Sequence, residues 1–336
     1  MVRKSLGIGA LVVSSLVFAC GTSSERDGFD DGAGPGSGVG NGGGPGADNG
    51  GSLGSAASET EPPPVEECQK MDIIFVIDDS GSMEEEQQNL AANFPKFISK
   101  IDSFKTKSGS KLDWRIAVTT TALNITYNIS IPFGGTLPMT EKGDDGAFRM
   151  PSGCGGTQRR WVEKSDANAS SDFQCRAKAG TSGSSIEMPL EATKLALNDR
   201  VADGTNAGFL RDDALLALVI LTDEDDCSRD DNNFTIVNDV CSTMQGVKPM
   251  ADYKQMLDNV AKGAGRWATA VIAGPTACES GFGKASEAKR LKEFVGLAGK
   301  NGTFSSICDG DLSDALEKAL DTFDAACKTL PPSEVK

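Results

Sequence analysis

Histidine is absent from all 336 residues. Its absence excludes Ser-His-Asp and Cys-His arrangements, HExxH zinc proteases and any imidazole general base, leaving only Ser, Cys, Lys, Tyr and carboxylates for catalysis. Basic side chains are scarce relative to acidic ones: 33 Lys and Arg face 48 Asp and Glu, a formal net charge of −15. A surface of that sign repels phosphate, so neither nucleic acid nor an anionic membrane surface is an expected electrostatic partner. None of the nine cysteines forms a CxxC pair, which together with the missing histidine argues against a zinc site. The chain also lacks an internal repeat, an EF-hand spacing and any apolar run long enough to span a bilayer permanently. What is there is 38% hydrophobic, enough for one large domain or two small ones with a buried core.

The N-terminus reads as an export signal. Arg3 and Lys4 precede an apolar stretch from Leu6 to Phe18, and Val17-Phe18-Ala19-Cys20 has the pattern of a bacterial lipobox: an aliphatic residue, a small residue, then the cysteine to be acylated. Residues 1–19 are therefore expected to be a lipoprotein signal peptide, with Cys20 as the lipid anchor. Between residues 21 and 60 there are fourteen glycines and almost no large apolar side chains, a composition that cannot offset the entropy of ordering. Residues 20–66 are read as a lipidated, flexible tether with a root-mean-square reach of about 40 Å. The residue after Cys20 is Gly21 rather than Asp, which favours the outer membrane of a bacterial cell envelope, facing either the periplasm or the outside.

With Cys20 set aside, eight cysteines remain, an even number that in an exported protein reads as a disulfide framework. Pairing by proximity gives Cys154–Cys175, Cys227–Cys241 and Cys278–Cys308, with Cys68–Cys327 joining the two ends of a domain expected over 67–330, ahead of a tail at 331–336. Within it, Met71–Ile77, Trp114–Leu123, Ala214–Thr222, Arg266–Gly274 and a short stretch at Thr303–Ile307 read as strands. Helical spacing marks Glu84–Ile101, kinked at Pro95, and Glu187–Asn198, Met250–Lys262, Ala285–Ala298 and Asp311–Cys327. Strands alternating with helices predict a single α/β domain, a doubly wound, mostly parallel sheet flanked by helices. From 124 to 179 the pattern dissolves into Gly, Ser, Asp and Asn around two cysteines, and this stretch is expected to be a disulfide-pinned insertion.

The chemistry gathers at strand ends. Directly after the first strand, Asp78-Asp79-Ser80-Gly81-Ser82 spells D-x-S-x-S, one carboxylate and two hydroxyls in a tight turn. Such hard oxygen donors at the carboxyl end of a central strand suit Mg²⁺ or Mn²⁺, although Asp, Ser and Gly also fill ordinary turns. In this context, IIFVIDDSGSM, the sequence resembles the von Willebrand factor A family, whose metal ion-dependent adhesion site combines D-x-S-x-S with a distant Thr and a further distant Asp. Thr181 in Gly180-Thr181-Ser182-Gly183 matches the second element, with Thr157 after Gly155-Gly156 competing for the place. Asp223 in VILTDEDDCS matches the third, and the likeness spans about residues 70–328.

The resemblance implies a Rossmann-like doubly wound fold with a metal at its top. Ser80, Ser82 and Thr181 would coordinate directly, and Asp78 and Asp223 directly or through water. Mg²⁺ or Mn²⁺ is the implied ion, with Ca²⁺ a further candidate, and Asp79 and Glu224 stand next to the ligands. Neutral hydroxyl ligands leave the ion much of its charge, so the implied function is capture of a protein ligand that presents Asp or Glu. A structural scaffold of an outer-membrane or surface assembly, its metal constitutive, is the alternative. No catalytic residue is expected: Ser108-Gly109-Ser110-Lys111 matches S-x-x-K only formally, in a turn and without its companion motifs. The run Asp223–Asp226 with Asp230 and Asp231 is read as a solvated acidic loop tethered by Cys227–Cys241 in preference to a second, calcium-binding site. Arg159-Arg160-Trp161 has the composition of a recognition hot spot, and equally that of surface charge beside a Trp packed on the Cys154–Cys175 bridge.

Overall fold

A computed structural model of the chain describes residues 68–333, apart from 107, 132–133, 156–158, 232, 237–240, 242–244 and 281–282. The expected signal segment 1–19, Cys20 and the tether through residue 66 lie outside the described residues, as does Thr157.

The described chain enters through β1 (Lys70–Ile77), makes a 3-10 turn (Gly81–Met83) and continues into α1 (Glu84–Ser103), whose helical assignment runs unbroken through Pro95. Next come β2 (Asp113–Thr120), β3 (Ile125–Ser130), β4 (Thr136–Glu141), β5 (Trp161–Glu163) and α2 (Ala169–Ala177). Pro189, tolerated at a first helical position because it needs no amide partner there, opens α3 (Pro189–Lys194), which passes through a π turn (Leu195–Asp199) into α4 (Arg200–Ala202). The second half comprises β6 (Ala214–Leu221), β7 (Asn233–Ile236), α5 (Met250–Val260), β8 (Trp267–Ala273), β9 (Cys278–Ser280), β10 (Gly283–Ala285), α6 (Lys289–Ala298), β11 (Gly302–Ser306) and α7 (Leu312–Lys328).

Six strands form the main sheet in the order β11-β8-β6-β1-β2-β5. All neighbours are parallel except β5, which runs antiparallel to β2. From β1 the chain winds outward one way through β2 and then the other way through β6, β8 and β11, the doubly wound α/β arrangement that the alternating strands and helices predict. In such sheets the crevice at the carboxyl ends opens where the winding reverses, here between β1 and β6. Successive side chains of a strand point to opposite faces, so the continuous apolar runs bury both sides of the sheet. Met71, Ile73, Phe75 and Ile77 of β1 join one core with residues of α1, α2 and α7, while Ile74 and Val76 join the other with residues of α3, α5 and α6. The disulfides pair Cys68 with Cys327, Cys154 with Cys175, Cys227 with Cys241 and Cys278 with Cys308, three local pairs and one that joins the two ends of the domain, as expected.

Part of the expected insertion at 124–179, which the Cys154–Cys175 disulfide pins, packs into the main layers. Trp161–Glu163 is the edge strand of the main sheet, and α2 puts Phe173 into the core, its ring 4.3 Å from Phe94 and 4.9 Å from Phe75. Residues 161–177 therefore belong to the fold itself. The part that departs from the main layers is the β3–β4 hairpin, which pairs with β7 in a small sheet of its own, order β4-β3-β7. Ala285, expected to begin a helix, instead ends β10, which pairs antiparallel with β9, and α6 starts at Lys289.

Replacing Phe173 by Ala should cost about 3–5 kcal/mol of unfolding free energy in denaturant titration. Leu137→Ala, at a half-exposed position of the β3–β4 hairpin, should change it by less than about 0.5 kcal/mol. Equal small effects would mean that α2 is peripheral.

Candidate metal site

Parallel pairing fixes the centre of the site. Ile77 of β1 is in register with Leu221 of β6, so the next residues, Asp78 and Thr222, leave the sheet side by side. Asp78 donates its amide to the Leu221 carbonyl at 2.9 Å. Its carboxylate is wholly buried, with Oδ1 accepting the Ser80 amide at 2.8 Å and Oδ2 accepting the Thr222 hydroxyl at 2.6 Å. Both oxygens are thus engaged in shaping the turn, and that turn brings the Ser80 and Ser82 hydroxyls within 3.1 Å of each other. Asp223 follows Thr222 directly; it is hydrogen-bonded by the Ser82 side chain and is only 3% exposed, yet its Oδ1 has no partner.

The third loop is tied to the first by backbone contacts. Gln87, in the first turns of α1, donates from Nε2 to the carbonyls of Asp78 (2.7 Å) and Gly180 (2.6 Å) and accepts the Gly180 amide at 3.0 Å. The Gly183 amide donates to the Asp79 carbonyl at 2.7 Å. Any side chain at 183 would collide with the Asp79 carboxylate, since a Cβ there would lie 2.3 Å from it. These contacts set Thr181, itself exposed, beside Gly81 of the turn. Asp78, Ser80, Ser82 and Asp223 therefore converge, with Thr181 in the adjoining loop. Asp79 turns toward Gly183, and Glu224, hydrogen-bonded to Glu187, borders the group.

Two acidic residues that sequence reasoning did not single out stand around this centre. Glu86 and Glu187 are 2% and 1% exposed, and each has an oxygen without a hydrogen-bond partner, Oε2 in both, as does Asp79 at Oδ1. Burial pushes Asp78 up to about 6 against the opposing bonds from Thr222 and Ser80. Burial, reinforced by the charge of Asp78, raises Asp79 and Asp223 to about 7, and burial raises Glu86 to about 7. Glu187 is driven well above the usual carboxylate range by burial and then by Asp78 and Glu224. Glu86 carries one signal in the sequence, its place in the acidic first turn of α1; Glu187 carries none that separates it from any residue before a helix.

Whether this chain could hold a divalent cation turns on donor chemistry. Among the described residues no group of three or more Cys, Asp or Glu side chains is placed to hold a metal by itself. The donors are instead paired hydroxyls beside a carboxylate oxygen left unpartnered in a buried place, a hard, weakly charged set that fits Mg²⁺ or Mn²⁺. Buried polar atoms almost always have partners, yet four carboxylate oxygens here, of Asp79, Glu86, Glu187 and Asp223, have none.

The remaining acidic run behaves otherwise than expected. Asp225 and Asp226 are buried and are not a solvated loop. Asp225 accepts the amides of Arg290 and Leu291 at the start of α6, and Asp226 accepts the Leu190 amide in α3 and pairs with Arg290 at 3.1 Å. Only Asp230 and Asp231 are exposed. The Arg159-Arg160-Trp161 cluster is likewise spent on the fold. Arg159 pairs with Asp166 and Glu163, Arg160 donates to the Phe148 carbonyl, and Trp161 packs edge-on against Phe209.

Searched by sequence, the chain matches no protein-family profile and no curated protein. Among solved structures it is similar to proximal thread matrix protein 1 of the mussel byssus, at 14% identity and a TM-score of 0.39, covering 77% of this chain and 46% of that one. A second structure of the mussel protein, with a zinc-occupied MIDAS motif, matches at 15% identity and a TM-score of 0.38, covering 80% and 49%. The pilus adhesin SpaC of Lactobacillus rhamnosus GG matches at 12% identity and a TM-score of 0.39, covering 76% and 30%. The chain spans less than half the length of each of these proteins.

Two outcomes follow from the geometry. Because the folded carboxylates titrate near 6–7 and unfolded ones near 4, the metal-free fold binds more protons than the unfolded chain across that interval. Its stability should therefore fall as the pH is raised from 5 to 8, and saturating Mg²⁺ should flatten the slope of melting temperature against pH; an unchanged slope would show that the cation does not reach these groups. Asp226→Ala should cost about 3–5 kcal/mol by removing the carboxylate partner of Arg290 and the acceptor of the buried Leu190 amide, whereas Asp230→Ala should cost less than about 1 kcal/mol.

Proposed function

We infer that this protein is a binding module rather than an enzyme, one that captures a carboxylate-bearing protein through a divalent cation, Mg²⁺ or Mn²⁺, at the carboxyl ends of β1 and β6. The observation that supports this best is the Ser80–Ser82 hydroxyl pair, with Ser82 bonded to a buried Asp223 whose Oδ1 is left unpartnered. Ser80, Ser82 and Asp223 would hold the cation, with Thr181 added from the adjoining loop. Bound there, the cation would supply a centre of positive charge, little neutralised by its hydroxyl ligands, that attracts an Asp or Glu of a partner.

The chain's own groups do the positioning. Asp78 orders the turn by accepting from Ser80 and Thr222, which leaves the two serine hydroxyls turned toward each other. Gln87 locks the Thr181 loop against that turn. The same reading anchors the module through a lipid at Cys20 in the outer membrane of a bacterial envelope, on a glycine-rich tether and on either its periplasmic or its outer side, with the membrane contacted through the lipid alone.

Calorimetric titration of the metal-stripped protein should show saturable one-site binding of Mg²⁺ or Mn²⁺. Ser82→Ala and Asp223→Ala should abolish it, and Gln87→Ala should weaken it roughly tenfold, as expected for a residue that orients ligands without touching the ion. Failure of the folded wild type to bind either ion would overturn the metal reading. Release of a captured partner by EDTA separates reversible adhesion from a scaffold with a constitutive metal, which would keep its partner.

A further inference from the structure

Thr181 lies in the stretch between α2 and α3, residues 178–188, which forms neither helix nor strand. With no backbone ladder there, the place of its side chain depends on the individual bonds that pin the loop. Gln87 holds Gly180, the Asp79 carbonyl holds the Gly183 amide, and a further pin at Ser184 comes from the small sheet: Glu141, the last residue of β4. The half-buried Glu141 carboxylate is engaged at both oxygens. Its Oε1 accepts the Tyr127 hydroxyl of β3 at 2.6 Å, and its Oε2 accepts the Ser184 hydroxyl. Ser184 is 1% exposed, and its Oγ in turn accepts the Ile186 amide at 2.9 Å, so one buried hydroxyl closes the loop on itself and fastens it to β4. Tyr127 is itself held, buried with its ring stacked on Phe234 of β7 at 5.7 Å.

We propose that Glu141 is a positioning residue for Thr181: through its carboxylate the β3–β4 hairpin, which stands apart from the main layers, holds the 180–184 loop against the turn that carries Ser80 and Ser82. This rests on the reading of Thr181 as a cation ligand and adds to it a residue that touches no ion. A threonine hydroxyl is neutral, so its value to a cation comes from being held where the other donors converge, and the groups that hold it matter nearly as much as the oxygen itself. Hydrogen bonds to an ionised acceptor are about twice as strong as neutral ones, and a buried hydroxyl that loses its acceptor is left with no water to replace it. The Ser184 end of the loop is therefore released only at a cost, and the small sheet acquires a part in the site without contributing a ligand.

The test uses the purified full chain. In metal-stripped protein, hydrogen exchange over residues 180–186 should be roughly tenfold faster in Glu141→Ala than in the wild type, with β1 and β6 still protected. Titration of the same variant with Mg²⁺ should show affinity lowered roughly tenfold, as for residues that orient ligands from behind. Glu141→Gln removes the charge but keeps an acceptor for Tyr127 and offers Ser184 a donor, so both readouts should stay within about threefold of the wild type. Ser184→Ala cuts the link from the other side and should reproduce Glu141→Ala. Unchanged exchange and affinity in Glu141→Ala would overturn the inference, and so would an equal loss in Glu141→Gln, which would trace the effect to charge alone. If Glu141→Ala also loses protection in β1 and β6, Ser184→Ala, which removes one oxygen, decides the matter by the same two readouts. A folded wild type that binds no Mg²⁺ would instead overturn the adhesion reading beneath, and the exchange measurement, which needs no metal, keeps the two failures apart.

Discussion

The hydrogen bond from Thr222 to Asp78 is the pivot of this structure. It joins the ends of the two central strands across the reversal of winding, and it exists because Ile77 and Leu221 are in register. A slip of one residue between β1 and β6 would exchange every inward and outward side chain of the strand. The apolar runs on both faces of the sheet forbid that slip, so packing many residues away determines where the Asp78 carboxylate sits. Once Asp78 is fixed, its bond to the Ser80 amide curls the turn, the turn brings Ser80 and Ser82 together, and the following residue of β6 delivers Asp223.

The arrangement stores electrostatic cost. The charges acting most strongly on Asp78, Glu86, Glu187 and Asp223 are those of other carboxylates. Proteins usually bury acidic groups only beside a cation or amide donors, and Asp225 and Asp226, a few residues away, show that ordinary solution: helix-start amides and Arg290 satisfy both. The contrast between neighbours in one acidic run separates groups that the fold consumes from groups it leaves unsatisfied. The second kind hold their protons to a higher pH than free carboxylates do, because burial and neighbouring negative charges disfavour ionisation.

Much of the architecture was legible because fully buried parallel strands write themselves as unbroken apolar runs. β1, β2, β6 and β8 are such runs, and each is found within a few residues of its expected limits. Short elements carried no comparable signal. β5 has three residues and lies in a stretch rich in glycine and polar side chains, so its role as the sheet's edge depends on pairing with β2, which composition does not encode. The β9–β10 hairpin is equally brief, and its last residue, Ala285, was absorbed into the expectation of a helix that starts later, at Lys289. In the site, D-x-S-x-S and Asp223 were legible because both follow strands directly. Glu86 and Glu187 were not, since their importance comes from the burial of particular oxygens. The acidic run misled for a related reason: six charges in nine residues look solvated until two helix starts are seen to be capped by them.

Cys68 is bonded to Cys327, and β1 begins two residues later and ends at Ile77, directly before Asp78. The mechanical path from the point where the preceding chain enters the domain to the turn bearing Ser80 and Ser82 is thus one strand of eight residues, about 26 Å in length. That strand is clamped on both sides, by β2 and by β6, along its whole length. Traction between residue 68 and anything gripped at the turn acts along the strand axis, so the two ladders would have to fail together in shear instead of opening one bond at a time. The disulfide diverts part of the load into α7, and a pull on the chain end therefore meets the most resistant direction of the sheet.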